Sequence, residues 1–155
     1  MRYAPHRPFP SYAFLPGRSP HPTSDPKGHS YKRPPEKTDL AAPEDWRRCE
    51  TYLYGVDLFN YGYCWEAHET WEFLWHKAGR GTEQGNFLQG LIQVAAGLLK
   101  LKVDQPAGAE SLFTSARALL EPVREKHPRY MGLDLERFLA EMAKSPVIRL
   151  DVKPV

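Results

Sequence analysis

The chain has 155 residues, a length that suits one domain built around a single core. Hydrophobic residues make up 41% and charged residues 26%, the balance of a soluble globular protein. A net charge of +2 is too small to mark a nucleic-acid surface, and no apolar run approaches the about 20 residues needed to span a bilayer.

Charge and proline are unevenly spread. Residues 1–42 hold seven Lys or Arg against three Asp or Glu, and nine of the fifteen prolines. Proline removes a backbone donor and disfavours helix in the residue before it, so an extended, turn-rich segment without regular structure is expected. Tyr3, Phe9, Tyr12, Phe14 and Tyr31 punctuate it, whereas disordered tails are poor in aromatics. Part of the segment is therefore expected to lie against the folded body, with a flexible tail the competing reading for residues 1–10. The N-terminus lacks the apolar stretch of a secretory signal. Cys49 and Cys64 have no CxxC spacing and read as reduced core thiols of a cytoplasmic protein, a disulfide between them being the alternative.

From Pro43 the pattern turns helical. Pro43 opens a first helix, along which Trp46, Cys49, Leu53 and Val56 recur at helical spacing. Asn60, Tyr61 and Gly62 suit a turn. A second helix is expected from Cys64 to Ala78, ended by Gly79 and Gly81. The third, about 83–103, carries two apolar stripes, Phe87, Leu91, Val94, Leu98 and Leu101 beside Leu88, Ile92 and Leu99, so it should be central. Asp104 is the expected N-cap of a fourth helix with Pro106 in its first turn, frayed or kinked by Pro122 and ended by His127 and Pro128. A last helix is expected over about 134–143. No segment alternates with period two, so no sheet is expected. The reading is an all-α, single-domain bundle of about five helices: an extended segment 1–42, a helical domain 43–145 and a C-terminal tail 146–155.

The second helix, WEAHETWEFLWH over residues 65–76, concentrates the ionisable chemistry. At 100° per residue Trp65, His68, Glu69, Glu72 and His76 share one arc of about 100°, with Cys64, Trp71 and Trp75 beside it and Glu66 and Phe73 on a flank. Aromatics occur around most of the helix, and a buried carboxylate needs a partner, a proton or a metal. Three readings follow. The plainest is structural: a solvated edge of Glu69, Glu72 and His76, with His68 hydrogen-bonded in the core. The second is a divalent metal, with His68, Glu69, Glu72 and His76 as candidate ligands at the helical spacing of His and carboxylate. There is no HExxH and no ExxH on another helix, so further ligands must come from elsewhere; His21, Asp25 and His29 stand four apart in the N-terminal segment. The third is a polar pocket with Glu66 or Glu69 as general base and His68 as paired acid or orienter. Gln89 and Gln93 on the third helix would form its other wall. No nucleophile stands at a recognisable spacing from a base.

The string LFNYGYCWEAHETWEFLWHKAG, followed by NFLQGLIQVAAGLLKL, resembles the bacterial and archaeal domain-of-unknown-function family numbered 309. One hallmark falls on Phe59, Asn60, Gly62, Trp65, Glu66, His68, Glu69, Trp71 and Glu72, the other on Leu88 to Gln93. The resemblance covers about residues 45–125, and HPRYMGLDLERFLAEM is similar to the family's closing segment. It implies a compact all-α domain and supplies no activity. It places Glu66, His68, Glu69, Glu72, Gln89 and Gln93 in the defining motifs.

Together these readings give a polar site between the second and third helices. Glu66, His68, Glu69 and Glu72 are its catalytic candidates, and Trp65, Trp71, Gln89 and Gln93 its ligand-binding walls. It would bind a divalent metal or a small polar ligand and support hydrolytic chemistry. The rival is a non-catalytic helical adaptor or homodimer presenting aromatic surface residues. A basic tail docking on nucleic acid is the weakest alternative, given the modest charge excess.

Overall fold

The structure, a computed structural model, describes residues 1–144 and 149–153. Pro43 starts helical backbone as expected, but what it opens is a short 3₁₀ helix, Pro43–Arg48. Cys49 leaves helical geometry (φ −84°, ψ 82°), and the chain restarts as α1, Glu50–Asn60. The single first helix of the sequence reading is thus two pieces. α2 spans Cys64–Ala78 and stops at Gly79, whose φ is +87°. Thr82 then caps α3, Glu83–Lys102, its hydroxyl accepting the Gly85 N–H at 3.0 Å.

α4 is Pro106–Lys126, and its N-cap is Gln105, without a side-chain bond, rather than Asp104. Asp104 takes a left-handed conformation (φ +58°) and pairs with Arg18 at 3.1 Å. α4 continues through Pro122, whose ring is exposed near the helix end. α5 is Leu135–Lys144.

The expectation of no sheet is corrected by a small antiparallel ribbon, β1 Arg129–Tyr130 with β2 Leu133–Asp134. Met131 and Gly132 between them both have positive φ, the geometry of a two-residue hairpin turn. Strands of two residues are too short to display a period of two. Of the expected C-terminal tail, residues 146–148, 154 and 155 lie outside the described residues. Leu150 and Val152 are buried, and Val152 bridges to Leu133. Asn60 pins this stretch by accepting the Leu150 N–H at 2.8 Å and donating to its carbonyl at 2.7 Å.

α3 packs on α2 along one side and α4 along the other, as its two stripes require. Phe87, Leu88, Leu91, Val94 and Ala95 are fully enclosed. α1 closes over α2 where Gly55 meets the Trp71 indole; that ring is fully buried, and its Nε1–H donates to the Tyr52 carbonyl at 3.2 Å. Both cysteines are free thiols in the interior. Among the described residues no helix is long and apolar enough to cross a membrane.

Residues 1–42 form no helix or strand, yet they lie on the bundle. Asp57 of α1, with no exposed surface, explains why the first ten residues are held rather than loose. Its two carboxylate oxygens accept the Tyr3 and Ala4 N–H groups at 2.8 Å each, and Arg2 Nε stands 3.4 Å away. Tyr54 donates its hydroxyl to the Pro8 carbonyl at 2.7 Å, and the Arg7 guanidinium lies over the Tyr54 ring at 3.9 Å. A buried carboxylate satisfied by backbone N–H groups is a strong local anchor, because leaving it unpaired would be costly.

Candidate functional site

α2 projects His68, Glu69 and Glu72 from one face because they stand one and four residues apart on a helix. His68 Nε2 lies 3.4 Å from Glu72 Oε1 and 3.8 Å from Glu69 Oε1. One donor atom from each of the three lies within 4.8 Å of the others. The other ring nitrogen, Nδ1, is 3.0 Å from the Trp65 carbonyl. A carbonyl only accepts, so Nδ1 carries a hydrogen and the ring's Nε2 edge faces the two carboxylates. All three side chains are half-buried. Burial raises the Glu69 carboxyl from its ordinary value and the Glu72 charge adds to this, while His68 and His21 oppose it.

Glu66 belongs to another face. It is 5% exposed, and its Oε1 accepts two bonds from the N-terminal segment, the Phe14 N–H and His29 Nε2–H, each at 2.8 Å. His29 Nδ1 meets the Ser30 hydroxyl at 2.8 Å, so both ring nitrogens are engaged. Glu66 Oε2 is buried without a hydrogen-bond partner among the described residues. Beside it a pocket of about 370 Å³ opens between the N-terminal segment and α2. Trp65, Glu66, Glu69, Thr70 and Phe73 line it from α2, and Arg7, His29, Arg33 and Glu36 from the segment. Glu69 therefore stands in both places, among the clustered donors and on the pocket wall.

The remaining predicted residues scatter. Trp65 lines the pocket and meets Phe14 and His21 edge-on, with centroids 5.4 and 5.6 Å away. Trp71, read from sequence as a ligand wall, is core. Gln89 and Gln93 are half-buried on α3, and no hydrogen bond joins either to His68, Glu69 or Glu72 among the described residues; Gln93 Oε1 is buried and unpartnered. The pocket's second wall is thus the N-terminal segment rather than α3. His76 is exposed. Of the segment's spaced residues, Asp25 accepts the Lys27 N–H within a turn, and His21 Nδ1 accepts the Thr23 and Ser24 N–H groups. Cys64 is buried, and burial pushes its thiol up, which leaves it a poor nucleophile. Sequence reasoning missed Asp57; its signal was a lone carboxylate on the apolar face of α1, within Val56-Asp57-Leu58-Phe59.

Comparison of the chain with curated proteins gives no match. The family profile described as domain of unknown function (DUF309) matches residues 52–112, from Tyr52 on α1 to Leu112 on α4. That range holds the whole of α2 and α3, and over it the chain resembles the DUF309 family.

Proposed function

We propose that the protein binds a divalent transition metal through His68, Glu69 and Glu72 on α2. The observation that carries this is the convergence of one imidazole nitrogen and two carboxylate oxygens, with the imidazole already fixed by the Trp65 carbonyl. Metal-bound histidines commonly donate their second ring N–H in this way, which sets the tautomer and the ring direction. Ligands at zinc distances of 2.0–2.1 Å around a tetrahedral ion stand about 3.4 Å apart. The His68–Glu72 and His68–Glu69 separations of 3.4 and 3.8 Å fit that spacing. Three protein ligands leave a coordination position for water or a substrate oxygen, the arrangement of hydrolytic rather than structural zinc. The aromatic residues support this reading over the adaptor: among the described residues the exposed large hydrophobics are Met1, Tyr31 and Tyr61, none of them on α2.

The test is elemental analysis of protein purified without a metal-affinity tag. About one equivalent of metal in the wild type, lost in His68→Ala, is expected. Metal-free wild-type protein that also fails to retain added zinc through gel filtration refutes the proposal.

A further inference from the structure

The clustered donors leave the adjoining pocket without a role, and its composition points to a ligand. Its volume of about 370 Å³ falls within the range of small-molecule sites. The lining is graded. Tyr54, Leu58, Glu66 and Thr70 are buried, whereas Arg33, Pro34 and Pro35 are exposed at the rim. Among the ionisable lining groups, the Glu66 and His29 side chains are the buried ones, paired with each other. Glu66 Oε1 is occupied by Phe14 and His29, while Oε2 is enclosed and has no donor among the described residues. A buried carboxylate oxygen without a donor is costly, and the deficit is met by a group that brings hydrogen and positive charge. Glu69 supplies a second carboxylate to the same wall, one helical turn along.

The cationic side chains in the lining do not cancel this. Arg7 is committed to Glu36, 2.8 Å away, and stacks on Tyr54. Arg33 is confined to the exposed rim. Trp65 gives the cavity an aromatic wall, and an aromatic ring attracts cations through its face.

We infer that this pocket binds a small organic cation, a primary ammonium carried on a short apolar chain. The ammonium sits between Glu66 and Glu69, and the chain lies along Trp65. This site goes beyond the metal proposal and shares only Glu69 with it.

The test follows the Trp65 indole N–H by NMR, assigned with Trp65→Phe, in metal-free protein titrated with butylammonium, butan-1-ol and butyrate. A saturable shift with butylammonium alone is expected, weakened at least tenfold in Glu69→Gln and in Glu66→Gln. His68→Ala removes the metal ligand set and keeps the amine response, so failure of one proposal is distinguishable from failure of the other. The inference is overturned if butylammonium gives no saturable shift, if butan-1-ol or butyrate matches it, or if Glu69→Gln binds as tightly as the wild type.

Discussion

Replacing Glu66 by Ala strips one carboxylate oxygen from two donors at once, the Phe14 N–H and His29 Nε2–H. Each donor left unpaired against the bundle costs about 1–3 kcal/mol, so docking of this part of the N-terminal segment weakens by about 2–6 kcal/mol. At about 1.4 kcal/mol per tenfold, opening becomes about 30-fold to 10⁴-fold more frequent. The effect is local, because Asp57 independently holds the Tyr3 and Ala4 N–H groups. Amide hydrogen exchange read by NMR resolves this. In Glu66→Ala the Phe14 amide should lose protection by that factor, while Tyr3, Ala4 and the α3 amides keep theirs. Unchanged protection at Phe14 would show that Glu66 is not the anchor. A uniform loss across α1 to α4 would show that segment and bundle open as one unit.

Other consequences follow from packing and ionisation. A Cβ at Gly55 would stand 2.1 Å from the Trp71 indole nitrogen, so Gly55→Ala should destabilise by about 1–3 kcal/mol in thermal unfolding. On α4, Gly108→Ala meets only the flexible Lys100 side chain of α3 at 3.5 Å, and should leave stability unchanged or raise it by up to about 1 kcal/mol. Burial pushes the Tyr130 phenol up to about 12, with the Glu83 and Glu44 charges adding to it. The neutral phenol is thus favoured by folding, and this contribution is intact below about pH 10 and lost as pH rises toward 12. Tyr130→Phe should flatten the alkaline fall in melting temperature over that window. The Glu69 carboxyl is raised, so its charge opposes folding at neutral pH. Glu69→Gln in chelator-treated protein should melt higher than wild type at pH 7, with the gap closing below about pH 4.

Much of this architecture is written in local patterns. The bounds of α2 follow from Cys64 through Ala78 ahead of a glycine, and the central place of α3 from its two apolar stripes. The break at Cys49 is invisible because Trp46, Cys49, Leu53 and Val56 keep helical spacing across it. The hairpin at Met131 and Gly132 is too short for any periodicity to show. His68, Glu69 and Glu72 were legible as a group because one helix sets their spacing. Glu66 lies in the same motif but two residues from His68, about 160° around the helix, so the motif joins residues that the backbone separates. The partners of Glu66 are a backbone N–H at residue 14 and a histidine 37 positions away, and a main-chain donor leaves no trace in side-chain identity. The H-x₃-D-x₃-H spacing of residues 21–29 suggests a ligand set, yet turn formation and the pull of a buried carboxylate on His29 disperse it.

The central claim is that His68, Glu69 and Glu72 hold a divalent ion. It is tested most directly by calorimetric titration of zinc into metal-free wild-type protein and into His68→Ala at pH 7. A single saturable site in the wild type, absent or at least 100-fold weaker in His68→Ala, is the predicted result. Zinc binding of equal strength in both proteins, or in neither, would contradict it.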